Sequence, residues 1–225
     1  MDVGQKQCAA SVNTMKRGVC ALALLGACAL ALPAWSSEER YRIDPQHTFS
    51  VFEYEHWGLS LQRGRFDDNS GSILFDPTSH TGNIDITIAA GSVSTGSALF
   101  DTILRSAEFF DADRHPTIRF RSSRLLFDGD KLARVEGTLS IKGVSRNIVL
   151  EMSRFDCRFM LLYGRRACGA NGTARLSRSD FDLGRYVPFV GDAVTLYISV
   201  EAIIEPVTGR GNGMQPEEGG APAAR

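Results

Sequence analysis

Sequence signatures of a reactive centre are missing from this 225-residue chain. His-x-x-x-His, His-x-Glu and paired-cysteine spacings do not occur, and Gly-x-Ser-x-Gly follows no strand-like run. The sequence therefore assigns no catalytic residue, no metal and no cofactor. Excess positive charge is lacking as well. With residues 1–36 set aside, 22 Lys and Arg face 25 Asp and Glu, so nothing is built to track a phosphate backbone and no nucleic-acid partner is expected. No internal repeat is present. Cysteine is scarce: three of the five, Cys8, Cys20 and Cys28, lie in the first 36 residues. The longest apolar run, Val19–Leu32, falls short of the roughly 20 residues a helix needs to cross a bilayer.

That run has another use. Met15-Lys16-Arg17 supplies a basic start, Val19–Leu32 an apolar core, and Pro33, Ala34 and Ser36 a helix breaker and small residues. This is the order of a secretory signal, with cleavage near Ala34 or Ser36 and a periplasmic destination. A rival reading stands beside it: Leu25-Gly26-Ala27-Cys28 is a passable lipobox that would leave Cys28 acylated, although the residues after it stay apolar. Export leaves Cys157 and Cys168 as an even pair in an oxidising compartment, on either side of a Tyr163-Gly164-Arg165 turn, and a disulfide across a hairpin is expected. Three segments result: a signal peptide over 1–36, a folded domain over 37–205 and a disordered tail over 206–225, where apolar periodicity is lost.

Between leader and tail, period-two alternation recurs and is broken by Gly, Asp and Asn turns. Ile84–Ile88, Thr117–Arg121, Val135–Ile141, Asn147–Met152 and Val194–Ala202 each turn one face apolar. Runs near Thr48–Trp57, Ser70–Phe75 and Cys168–Leu176 bring the total to eight, enough to close an antiparallel barrel. The class is all-β. One segment departs from alternation: Ser94-Thr95 can cap a helix whose Leu99, Phe100, Ile103 and Leu104 share a face, read either as a lid over one barrel end or as cover for core.

Parity orients the first long strand. Burying Glu53 and Glu55 in an apolar interior would cost several kcal/mol each without partners, so Phe52, Tyr54 and His56 should point inward. The same argument sends Phe75, Ile86, Ile88, Phe120, Leu139 and Ile198 inward. Gly137, Ala170, Gly172 and Ala174 at inward positions favour open space. From the residues alone, a solid core and a hollow tube both remain.

Several short motifs occur in a telling order: Asp44-x-x-His47, His56-x-Gly58, Gly64-x-Phe66, Ser92-Val93-x-Thr95, Phe109-Phe110-Asp111 with Pro116 and Phe120, Gly137-x-Leu139-x-Ile141-x-Gly143-Val144-Ser145, and Arg178-Ser179-Asp180-Phe181. In that order and spacing, from about Tyr41 to Ile204, the chain resembles the YceI-like polyisoprenoid-binding family. The resemblance implies a lipocalin-like barrel whose apolar interior holds a long-chain isoprenoid, such as a prenyl quinone or prenyl pyrophosphate. His47 and Arg178 are then candidates for the lipid head group, with capping and turn-forming roles as their alternatives. Asp101 and Asp111 read as solvated. Transient contact with a membrane or membrane protein stays open. So do two other functions: a catalytic or metal-dependent barrel acting on a small amphipath, and an envelope stress protein with a filled barrel.

Overall fold

The computed structural model describes residues 38–206. The expected leader, with Cys28 and both cleavage positions, and nearly all of the tail lie outside the described residues. Eleven strands form one sheet: β1 Glu39–Ile43, β2 Phe49–His56, β3 Ser60–Phe66, β4 Asn69–Asp76, β5 Thr81–Ala89, β6 Val93–Ser94, β7 Thr117–Asp128, β8 Lys131–Ile141, β9 Val144–Met160, β10 Arg165–Ser177 and β11 Val190–Ile204, with one helix, α1, at Ala98–Arg105.

The eleven strands make eight staves. β1 and β2 run end to end along β11, pairing Ile43 with Ala202 and Tyr54 with Val194, and are separated by the bend at Asp44–Thr48. β3 and β4 likewise continue one another, with β3 on β2 and β4 on β1. β5 and β6 face β4 and β3 in turn. Every later strand pairs antiparallel with its sequence neighbour, and β11 closes on the first stave, giving an eight-stave up-and-down barrel. The eight runs expected from alternation are one segment of each stave. The segments without expectation, β1, β3 and β6, are short or carry arginines in place of an apolar alternation, as in Ser-Leu-Gln-Arg-Gly-Arg-Phe.

Closure spares the barrel an exposed edge and defines two ends. The β2–β3 turn, the α1 segment, the β8–β9 turn and the β10–β11 loop lie at the end called upper here. The start of β1, the end of β11 and the β4–β5, β7–β8 and β9–β10 turns lie at the lower end. Alternation puts Val135, Leu139 and Ile141 of β8 inside, while Arg119 and Arg121 of β7 reach Asp85 on the outer surface. Glu53 is buried despite facing outward, because Arg63 at 2.6 Å and the Tyr197 hydroxyl at 3.3 Å cover it.

The expected disulfide is present. Cys157 and Cys168 are direct partners in the β9–β10 register, with Cα atoms 4.0 Å apart and the sulfurs bonded at 2.05 Å. Of the small inward residues, Ala170 and Gly172 line the cavity described below, while Gly137 does not. A Cβ on Gly137 would lie 2.5 Å from the Phe120 ring, and one on Gly172 would lie 2.8 Å from the Met152 sulfur. Gly137 therefore seats the Phe120 ring rather than leaving space, and Gly172 seats the Met152 side chain at the cavity wall. The two acids read as solvated are also engaged: Asp101 accepts hydrogen bonds from the Thr95 backbone N–H and hydroxyl at 2.7 and 2.8 Å, and Asp111 is buried beside Arg114.

Candidate functional site

The barrel is hollow in its upper and middle parts. A cavity of about 560 Å³ lies inside, within the range that holds drug-sized ligands. Its walls come from alternate residues of the staves. Phe52, Ile86, Ile88, Phe120, Leu139 and Ile198 stand on them, with Ile118 and Leu150 between. These residues reach the interior because both faces of a closed antiparallel sheet are distinct, and one parity per strand is apolar.

Below the cavity the interior is filled. Phe75, expected in the lumen, instead joins Tyr41 and Ala202 in a separate lower cluster. Its ring meets Phe127 at 6.0 Å and Phe155 at 5.7 Å between centroids. Parity is the same as that of Ile73, which does line the cavity, so the difference is one of depth along the barrel. A small space of about 40 Å³ sits among these rings and shares Ile73, Ala170 and Val200 with the main cavity. Tyr41 is sealed there, and burial followed by its hydrogen bond to Glu39 raises its hydroxyl well above the ordinary value.

The upper end is built differently. Phe110, after α1, packs its ring on Phe66 at 5.3 Å and on Phe52 at 6.5 Å. Leu104 and Phe109 also pack against the core, while Phe100 and Ile103 border the cavity and remain exposed. The helical segment thus both covers core and roofs part of the cavity. Trp57 stacks on Phe189 at 4.9 Å, and with Tyr186 the pair forms the rest of the rim. All cavity-lining residues that are exposed stand at this end, which makes it the mouth. Strand parity could not reveal Trp57, Tyr186 and Phe189, because they lie in turns. The available signal was the apolar content of Tyr186-Val187-Pro188-Phe189 directly after the Arg178 motif.

Few polar groups interrupt the lining. Ser50 donates to the buried Asn69 Oδ1 at 2.8 Å, and Thr48 bonds the backbone of Glu201, so both are satisfied in the wall. Arg178 borders the cavity but spends its donors on backbone carbonyls: Nε on Gly191 at 2.8 Å, Nη1 on Arg185 at 2.8 Å and on Leu183, and Nη2 on Val190 at 2.7 Å. Burial lowers its pKa from the ordinary arginine value. Its geometry is that of a bolt holding the β10–β11 loop. His47, the other head-group candidate, lies outside the cavity and meets Asp44 Oδ2 at 2.8 Å. That hydrogen bond raises the imidazole pKa; burial pushes Asp44 up, but the bonds from His47, the Gln46 N–H and Tyr163 outweigh it and hold the carboxyl low.

Tyr54 and His56 remain. Both line the cavity on β2 toward the mouth, and their polar side-chain atoms make no hydrogen bond among the described residues. Burial raises the Tyr54 hydroxyl pKa, opposed by the Arg178 charge. Among the described residues, His, Cys, Asp and Glu do not gather in groups of three that could hold a metal, and no helix is long and apolar enough to cross a membrane.

A YceI-like domain model matches residues 41–202. The chain belongs to the YceI-like family. UPF0312 protein PA0423 of Pseudomonas aeruginosa is 32% identical over 190 residues, covering 84% of this chain and 98% of that protein. The crystal structure of the Campylobacter jejuni YCEI protein superposes with a TM-score of 0.60 at 30% identity, over 68% of this chain and 90% of the other. A polyisoprenoid binding domain from Saccharophagus degradans, implicated in plant cell wall breakdown, shares the fold with a TM-score of 0.55 at 16% identity, over 73% of this chain and 98% of its own. The hollow meander barrel with its roofing helix is thus the architecture of this YceI-like chain.

Proposed function

We propose that this YceI-like protein is an exported, periplasmic carrier that holds a polyisoprenoid lipid, of prenyl-quinone or prenyl-pyrophosphate type, in its barrel. The observation that carries the reading is the cavity of about 560 Å³ with an almost wholly apolar wall. The polyisoprenoid binding of the Saccharophagus degradans domain, a protein of the same fold, supports it. The prenyl chain lies along Phe52, Ile86, Phe120 and Ile198 and points down toward Ile73 and Val200. The head group stays at the mouth, where Tyr54 and His56 offer unused donors.

The energetics suit carriage without covalent chemistry. Each methylene removed from water gains about 0.8 kcal/mol, which for several prenyl units nominally passes the ceiling of roughly 18–21 kcal/mol for non-covalent affinity. Such a lipid leaves a bilayer rather than water, so transfer into an apolar tube is nearly balanced and reversible. Mass spectrometry of organic extracts from protein purified in its native host tests the reading. A prenyl lipid in stoichiometric amount is expected, and an extract without one overturns it. Intact mass of the same sample should start near Trp35 or Ser37. A retained leader or an acylated Cys28 removes the soluble-export part.

A further inference from the structure

We propose that the mouth of the barrel docks on a zwitterionic bilayer, inserting three apolar segments among the lipid head groups. The purpose of such docking rests on the carrier reading; its geometry rests on separate observations. The segments are the β2–β3 turn and the start of β3 with Leu59 and Leu61, α1 with Leu99 and Phe100, and the β10–β11 loop with Phe189. Sheet pairing brings them to one end: His56 at the close of β2 pairs with Val190 at the start of β11, and β6, which leads into α1, pairs with β3.

Exposure of single leucines is not peculiar to this end, since Leu161 and Leu162 in the β9–β10 turn are 90% and 82% exposed. What sets the mouth apart is that its exposed apolar residues come from three separate segments and adjoin the cavity. Leu59 is 84% exposed, Leu99 68% and Leu61 62%. Contiguous apolar surface of this kind marks a contact site, not ordinary surface scatter. Trp57 and Tyr186 stand beside it, residue types that favour the membrane–water boundary.

Charge selects the partner. The run Trp57-Gly-Leu-Ser-Leu-Gln62 carries none. On α1, Asp101 is turned onto Thr95. Arg185 is paired with Glu108 at 3.1 Å, and Lys142 with Asp182 at 3.1 Å. Arg105 on α1 bonds the Val93 carbonyl and Arg146 on β9 bonds the Ser145 carbonyl. With its bases paired or bonded in this way, the rim presents no run of free basic side chains of the kind that an anionic surface would attract. Continuity completes the argument. Trp57, Phe100 and Phe189 belong both to the exposed rim and to the cavity wall. A lipid chain passing between bilayer and cavity would stay in contact with apolar side chains throughout.

The test is co-sedimentation of the mature protein with phosphatidylcholine vesicles, alongside Leu59→Asp and Leu99→Asp, whose positions do not line the cavity. Wild-type protein should bind, with little response to raised salt. Each variant should partition about tenfold less, the value of one leucine withdrawn from water, while keeping its melting temperature and its uptake of prenyl lipid from detergent. Failure of the wild type to bind, binding that requires anionic lipid and is lost in salt, or variants that bind like the wild type would each overturn the proposal. So would a dimer in light scattering that Leu59→Asp dissociates, in protein that ignores vesicles, since a second copy would then cover the rim. Vesicle binding by a protein whose extracts contain no prenyl lipid leaves docking standing and removes the carrier reading; prenyl lipid without vesicle binding does the reverse.

Discussion

At the lower end Tyr41, Phe75, Phe127 and Phe155 fill the barrel with one another, whereas at the upper end Trp57, Phe100, Tyr186 and Phe189 border a cavity and face water. Both ends are rich in aromatic rings, so composition does not separate them. What differs is the fastening. Lower rings are held by mutual packing, by His80 stacked on Phe127 at 4.4 Å, and by the disulfide that ties β9 to β10. The upper loop is held by the Arg178 guanidinium on backbone carbonyls, which leaves the side chains of that loop free to meet a ligand. Ring packing makes a floor, and polar bolting from behind makes a doorway.

The largest expected effect breaks the floor. Phe75→Ala should cost about 3–5 kcal/mol, the usual range for a buried phenylalanine, read from chemical denaturation. It should also join the small lower space to the main cavity, so that bound lipid extracted from the variant is longer. Unchanged chain length would mean that the floor does not limit the ligand. Removing both cysteines by Cys157→Ser with Cys168→Ser should cost about 2–3 kcal/mol, as expected for a short closed loop. Lipid content should hold, because neither cysteine lines the main cavity.

Ile86→Trp sharpens the contrast from the other side. In a solid interior the added volume would destabilise by about 1–3 kcal/mol. In the hollow part it should leave the melt nearly unchanged and reduce co-purified lipid. A variant that melts several degrees lower with full lipid content would contradict the hollow reading. The smallest effect concerns His47, outside both ends. Its hydrogen bond to Asp44 raises the imidazole pKa above 6.5, so the stabilisation is present in full below that ordinary value and is lost as pH rises through the raised one. NMR titration of the His47 ring should show a raised midpoint that returns toward 6.5 in Asp44→Asn.

Much of the wall was legible because a strand states its two faces in alternate letters. The paired acids Glu53 and Glu55 sufficed to turn Phe52, Tyr54 and His56 inward, and all three line the cavity. Depth was not legible. Ile73 and Phe75 have the same parity and similar chemistry, yet one borders the cavity and the other the floor, since height along a tilted stave depends on register with distant strands. Volume was misjudged for a related reason. Gly137 suggests space when read alone, but its cross-strand neighbours include the strand that brings Phe120 over it. Arg178 was legible only as a choice between a head-group contact and a turn former; the carbonyl partners that decide for the turn lie 5 to 13 positions onward, in a loop with no periodic signal.

The order of the staves has a consequence for how the chain reaches this state. Each strand from β3 to β11 finds its first partner close by in sequence, but the ring shuts only when Val190–Ile204 meets Glu39–His56. A chain emerging from its N-terminus must keep that first stave waiting, with a bare edge and an apolar inner face, until nearly its last residues arrive. Such an edge is a template for pairing with another chain, and long-range closure is slow relative to hairpin formation. The period of greatest exposure to aggregation is therefore the interval before β11 is made, and a chain cut short of Val190 would remain in it permanently.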